Sequence, residues 1–537
     1  MATNTPASTP QAPPEQAVLT PREILVAMSG LVIAMLLAML DNMIVAPALP
    51  TIVGDLGGLD RLAWVTTAYI LASTAATPIW GKLGDLYGRK GVFMSAVVIF
   101  LVGSALCGVA QDMNQLIAFR ALQGLGAGGL MVGVMAIIGE MVPPRERGRY
   151  QGVMAAVMPI AMIGGPLVGG FITDNLNWRW AFYVNLPLGA VALAVIWFTL
   201  KLPRRTRAGG RASIDWSGAA LLTLWITTLV LITSWGGTEY AWGSGRIIGL
   251  GVVTVLGFVA FLIVERRAVE PVMPLSVFRN ANFSLAGALS FIVGFAMFGG
   301  VTFLPQFQQF VQGSSATNSG LLLMPMMISA MAVSVAGGLL ITRTGRYRAL
   351  PIAGGALLTA GLALMSTMEL DTSRTTSALY MIVLGAGMGC LMQTTMLIAQ
   401  NSVALRDMGA ATGASTFLRN MGGSLGVSLL GSLYTNRLRD SLEAQGGGAA
   451  AGTEGLGSIA EVTPEVLRQM AEPVRHAFQV AVTEGIQVVF VGSAVVAAVG
   501  FVLAWFIRHV PLRGSGPAPS APRQDDPVPV EAGAAKG

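Results

Sequence analysis

A carboxylate deep inside an apolar run is the residue of this chain with the most chemistry to offer. Asp41 lies within the run 24–50, and Arg120 within the run 114–139. Carrying a carboxylate into a membrane costs roughly 2.5–3.5 kcal/mol even on a mild insertion scale, so it needs a partner or a task. Taken as helices of opposite direction, the two runs put Asp41 about 13 Å and Arg120 about 9 Å from the same surface, within reach of each other. Such a pair can work as a proton switch. Arg120 nearby favours the ionised carboxyl, whereas desolvation favours the protonated one. The same two residues also read as a static ion pair that fixes helix packing.

Other residues offer motion and binding. Residues 81–90 read G-K-L-G-D-L-Y-G-R-K. Gly81, Gly84 and Gly88 permit a tight turn, and Asp85 against Arg89 and Lys90 forms a charge-assisted latch. A weaker copy, G-G-L-L-I-T-R-T-G-R-Y-R, occupies 337–348 and predicts an internal duplication. In the run 149–174, Ala161, Gly165 and Gly169 recur every four residues and share one helix face, with Pro166 and Gly170 beside it. That spacing predicts a smooth groove for a closely packed neighbour. Gln306, Phe307 and Gln309 (in F-L-P-Q-F-Q-Q-F, 303–310) and Gln393 supply amide and aromatic groups for a substrate cavity between two halves. The 28 methionines are read mostly as plain core, Met324, Met326, Met327 and Met331 among them.

The elements that must position these residues follow from composition. Of 537 residues, 53% are hydrophobic and only 11% are charged. Soluble domains carry about 25% charged residues, so an ordinary soluble enzyme is excluded. Fourteen apolar runs, from 24–50 to 484–508, are each long enough to cross a bilayer, and all must be helical. With a cytoplasmic N-terminus, 23 basic residues fall on the inner side and eight on the outer, which predicts both termini in the cytoplasm. The same split accounts for the net charge of +6 without nucleic acid. Besides Arg120, Arg419 lies inside a run and is read as snorkelling toward the cytoplasm.

The expected organisation is a disordered tail at 1–22, a six-helix half at 23–201 and two additional linker helices within 202–280. A second six-helix half at 281–510 and a disordered tail at 511–537 complete it. The second half carries an extracytoplasmic loop at 436–483, with a short amphipathic helix beginning after Thr463. Cys107 and Cys390 sit in apolar runs, and His476 and His509 lie outside runs or at their ends, so neither a metal site, a disulfide framework nor a cofactor is expected. No G-x-x-x-x-G-K-[ST] loop occurs, which argues against an ATP-driven pump.

On these motifs the chain resembles the major facilitator superfamily, whose motif A matches residues 81–90. L-D-N-M-I-V-A-P-A-L-P (40–50) is similar to a signature of the fourteen-helix drug:proton antiporter family. L-I-A-F-R-A-L-Q-G-L-G-A-G (116–128) resembles motif B, G-G-P-L-V-G-G (164–170) resembles antiporter motif C, and W-R-W-A-F-Y-V-N-L-P-L-G (178–189) is typical of the same family. The departures are Met43 in place of the usual Thr, an extra helix-breaking Pro47, and Ala161 in place of the first motif C glycine. The resemblance spans roughly 23–510 and implies an all-α facilitator fold in the bacterial plasma membrane. It implies a monomeric, proton-coupled exporter of drugs or other amphipathic or cationic small molecules. A dedicated exporter of one metabolite, amino acid, siderophore or lipid is the alternative.

Overall fold

The structure, a computed structural model, describes residues 21–57, 61–143, 146–200, 215–237, 240–314, 316–404, 407–445 and 464–512. The expected tails up to residue 20 and from 513, the basic segment 201–214, Arg145, Arg406 and the loop core 446–463 with Thr463 lie outside the described residues.

The described chain is helical. The first group is α1 (Pro21–Leu56), α2 (Leu62–Tyr87), α3 (Arg89–Gly108), α4 (Met113–Met141), α5 (Arg147–Asn175), α6 (Trp180–Tyr183) and α7 (Asn185–Thr199). Two further helices follow, α8 (Trp216–Trp235) and α9 (Gly245–Arg267). The last group is α10 (Ala281–Gln306), α11 (Ala316–Leu321), α12 (Met324–Thr344), α13 (Ala349–Met365), α14 (Arg374–Asn401), α15 (Met408–Ala444), α16 (Pro464–Gln469) and α17 (Glu472–Trp505). Among the described residues, ten helical segments are long and apolar enough to cross a membrane. Side chains cap several of them: Asp112 accepts from the Gln115 amide at 2.9 Å, and Ser373 from Thr376 at 3.1 Å.

Local chemistry explains where helices depart from expectation. α1 continues through Pro47 and Pro50 to Leu56, with Ala48 and Ile52 fully buried, so apolar packing outweighs the lost backbone bonds. α10 contains Pro305 and passes into a π-turn at Phe307–Val311. The run 317–341 is broken into α11 and α12. The single amphipathic helix expected after Thr463 is two helices, α16 and α17. Pro473 supplies the reason, because it is favoured in a first turn and disfavoured in a helix interior.

The two groups pack alike. α4 lies against α2 and α3, as α14 lies against α12 and α13; α1 packs on α5 and α7, as α10 packs on α15 and α17. The glycines show how closely this match extends. A side chain at Gly124 or Gly128 would overlap the backbone of α2 at Tyr69 and Ser73; one at Gly385 or Gly389 would overlap α12 at Met326 and Ala330. Gly126 meets α3 at Phe100, and Gly387 meets α13 at Leu358. Gly165 and Gly169 press on Met43 and Ile44 of α1, while Gly422 and Gly426 press on Phe291 and Phe295 of α10. Gly88 and Gly345, each followed by an arginine, take positive φ of 93° and 68° in the two related loops.

The groups meet where α2 packs on α15 and α5 on α12, an exchange that follows the same two-fold pattern. α8 and α9 pair and stand beside this junction, with α8 against α2 and α15. The outer side of α9 leaves Val252, Val255, Leu256 and Ile263 exposed, as a lipid-facing helix requires. Replacing Gly169 with Leu should separate α5 from α1 at a cost of about 1–3 kcal/mol of overpacking. A lowered thermal unfolding midpoint in detergent checks this, and an unchanged midpoint contradicts it.

Candidate functional site

Asp41 and Arg120 meet in the interior of the first group. Arg120 Nη1 lies 2.5 Å from Asp41 Oδ2, and both side chains are fully buried. The other carboxylate oxygen accepts from Gln123 Nε2 at 2.8 Å and from Asn185 Nδ2 at 2.6 Å. Arg120 also donates to Gln123 Oε1 at 2.8 Å and to the Val65 carbonyl at 3.3 Å, and its guanidinium lies 4.2 Å from the Tyr69 ring centre. Asn185 reaches Ser104 Oγ at 2.9 Å. Four elements therefore converge on the ion pair: α1, α2, α4 and the start of α7. Both carboxylate oxygens accept, and Arg120 Nε and Nη1 both donate, which is what makes a buried pair tolerable.

The second cluster sits at the junction of the two groups. Asp85, in the last turn of α2, accepts from the backbone amides of Gly409 at 3.0 Å and Ala410 at 2.9 Å. These are first-turn amides of α15, which lack partners within their own helix and carry the positive end of its dipole. Arg89 Nη2 holds the same carboxylate at 2.7 Å and pairs through Nε with Glu140 at 2.8 Å. Gly81 touches Gly409, leaving no room for a side chain on either. Gln400 on α14 donates to the Met135 carbonyl of α4 at 3.2 Å, a further bond between the groups. Lys82 pairs with Glu270 at 3.0 Å.

A cavity of about 120 Å³ lies between α1, α4 and α5 on one side and α12, α14 and α15 on the other. Eleven of its sixteen lining residues are methionines, Met35, Met39, Met326, Met327 and Met331 among them. Met35, Met326, Met327 and Met388 belong to the packed core, as expected, and the same side chains also border this cavity. Met35 and Met39 fall on one face of α1. Asp41, two residues and about 200° further on, points away from the cavity into the first group.

The sequence profile of the Major Facilitator Superfamily matches residues 31–427. The chain belongs to that superfamily. It is a membrane-spanning transporter, similar along most of its length to proteins of the same kind. "Uncharacterized MFS-type transporter Rv1877" of Mycobacterium tuberculosis (strain ATCC 25618 / H37Rv) is 42% identical over 496 residues, covering 92% of this chain and 71% of its own. "Multidrug transporter protein MdtP" of Bacillus subtilis (strain 168) is 37% identical over 506 residues, covering 90% and 93%. Among solved structures, the major facilitator proton:xylose symporter XylE shares the fold, with a TM-score of 0.56 at 13% identity, covering 91% of this chain and 97% of its own.

In this facilitator the sequence-derived residues fall into separate places. Asp41 and Arg120 form the buried pair. Gly81, Asp85 and Arg89 form the junction latch, with Gly84 and Gly88 shaping the turn beside it. Gly165 and Gly169 pack on α1, whereas Gly170 faces open space, and Pro166 lies mid-α5. Gln393 lines the cavity and accepts from Ser334 at 3.0 Å. Gln306, Phe307 and Gln309 do not line it. The π-turn carries Phe307 into the packed interior with Phe303 and Leu304, and Gln309 donates to Ser319 at 2.9 Å. Arg419 does not snorkel; its side chain lines the cavity, about 16 Å from the first residue of α15.

Reasoning from the sequence missed Gln123, Asn185, Ser104 and Tyr69. The signal was present, since Gln123 follows Arg120 by one helical turn and Asn185 lies inside the 178–189 signature, but polarity alone does not say where a side chain points.

Two expectations follow. Asp85→Asn should weaken the capping of α15, and amide hydrogen exchange at Gly409 and Ala410 should accelerate by about tenfold, one charge-assisted bond's worth; unchanged exchange would remove Asp85 from the latch. At the far end of α1, Trp178 Nε1 at 2.9 Å and Arg179 at 2.8 Å hold the Asp55 carboxyl below its ordinary value. A depressed carboxyl stabilises the fold above its unfolded value of about 3.9, and that contribution fades as pH falls through the lower folded value. Tryptophan emission should therefore change on acidification below about pH 4, and Asp55→Asn should remove that part of the change.

Proposed function

We propose that this transporter is a proton-coupled exporter of amphipathic small molecules, with Asp41 as the proton-carrying residue. The observation that carries this reading is the enclosure of Asp41 by Arg120, Gln123 and Asn185 beside, and facing away from, a cavity between the two groups. In this arrangement proton and substrate occupy different places on the same helix. Protonation of Asp41 removes the charge that Arg120 neutralises, and a buried pair with one partner removed is destabilised by about 3–5 kcal/mol. That is large enough to reset the packing of α1 against α4 and α7, and through α5 the contact with α12.

In this reading fourteen spans form halves at 23–201 and 281–510, joined by the linker helices of 202–280. Both termini are cytoplasmic, the residues 81–90 latch closes the cytoplasmic side, and the protein works as a monomer in a bacterial plasma membrane. The name of the Bacillus relative, which denotes multidrug transport, supports export. One proton moving down 100 mV is worth about 2.3 kcal/mol, roughly a fifty-fold concentration ratio.

In inside-out vesicles holding a proton gradient, a transported compound should trigger proton release. Asp41→Asn should abolish that release while leaving binding of the compound within a few-fold of wild type. Persistent proton release in the variant would remove Asp41 from the coupling.

A further inference from the structure

The cavity holds one charge, and nothing among the described residues answers it. Arg419 lines the wall, half-buried and enclosed by protein. Among the described residues no hydrogen bond, ion pair or ring contact engages its guanidinium. The contrast with Arg120 is instructive: two arginines lie deep in the membrane, and one has a carboxylate, an amide, a carbonyl and an aromatic face. The other has none of these.

The rest of the wall determines what this charge can meet. No lining residue is acidic. Asp41 is consumed by its own cluster and points away, and the other acids within helices lie near span ends, where Glu140 is held by Arg89. Gln393 is engaged with Ser334, and the remaining wall is dominated by methionine. The position of Arg419 is rigid, because its carbonyl packs against Gly294 of α10 where a side chain would overlap it. A planar guanidinium on a fixed backbone matches a carboxylate with two parallel bonds, and a low-dielectric wall strengthens that attraction. Polarizable thioethers around it accept an apolar body of varied shape. A cation in the same cavity meets like charge with no acid to balance it.

We propose that Arg419 is the charge-recognising residue of the substrate site, and that the favoured substrates are amphipathic organic anions, an apolar body bearing one carboxylate. This rests on the export reading for its direction, but the binding claim does not depend on proton coupling. It replaces the cationic class that the family resemblance implied, and it gives the deep arginine of α15 a task that the duplication does not supply to α5, where the matching position is Met162.

The test uses three matched fluorescent probes, naphthylacetate, naphthylacetamide and naphthylethylamine, titrated against the purified full-length protein in detergent at neutral pH. Naphthylacetate should bind at least about tenfold tighter than the neutral amide, and the protonated amine weakest of the three. Arg419→Gln should abolish the preference for the acid while retaining amide binding, and Arg419→Lys should restore part of it. Tightest binding of the amine, or a wild-type protein that does not distinguish acid from amide, overturns the proposal, and neither result needs a folded variant. An Arg419→Gln protein that still binds amide and keeps the wild-type acid preference also overturns it. If the preference holds but naphthylacetate releases no protons in the vesicle assay while another compound does, this inference stands for binding alone. If no compound releases protons, the coupling reading fails and the binding result is untouched.

Discussion

An ion pair in a place without water constrains everything around it. Asp41 and Arg120 are each fully buried, and neither is tolerable there without the other and without hydrogen bonds to the remaining lone pairs and N–H groups. Satisfying them takes Gln123 from the same helix as Arg120, Asn185 from the start of α7, and the Val65 carbonyl and Tyr69 ring from α2. Four elements must converge on this one ion pair, α4 and α7 bonding the carboxylate and α2 the guanidinium. They can do so because Gly124, Gly126 and Gly128 let α4 lie directly on α2 and α3, while Gly165 and Gly169 let α5 lie on α1.

That packing is a duplicated solution, but the chemistry on it is not duplicated. Gly385, Gly387 and Gly389 of α14 repeat the close contacts of α4, and Gly422 and Gly426 of α15 repeat those of α5. Arg120 stands four residues before Gly124; the residue four before Gly385 is Met381. α10, which packs as α1 does, contains no acid. The second loop copy keeps its positive-φ glycine at Gly345 but has Thr342 where the first has Asp85, so the carboxylate of the first latch has no counterpart in the second copy. Backbone approach is a requirement of helix association in lipid and persists in both copies; charge is costly in lipid and appears only where it has a use.

The division of labour between the groups follows from that asymmetry. The first group carries a neutralised acid–base pair shielded from the cavity. The second carries an arginine that faces it and has no partner among the described residues. On the proposed reading a proton acts on one side of α1 and the substrate on the other, with the helix itself as the shared moving part.

Much of this was legible in the sequence for a physical reason. Lipid cannot hydrogen-bond a backbone, so apolar length alone dictates helices, and glycine at i and i+4 dictates a close neighbour. The scarcity of charge singled out Asp41 and Arg120, and a depth count from helical rise was enough to pair them. Direction of side chains was not legible. A 3.6-residue period says which residues share a face, but which neighbour that face meets depends on contacts hundreds of residues apart, such as Asp85 with Gly409. For the same reason Arg419 read as a snorkelling residue, and the core methionines gave no sign of the cavity they border, since both depend on surfaces that only the packed helices define. The tertiary structure decided where the empty space lies, and with it which buried charge is a closed pair and which faces a cavity.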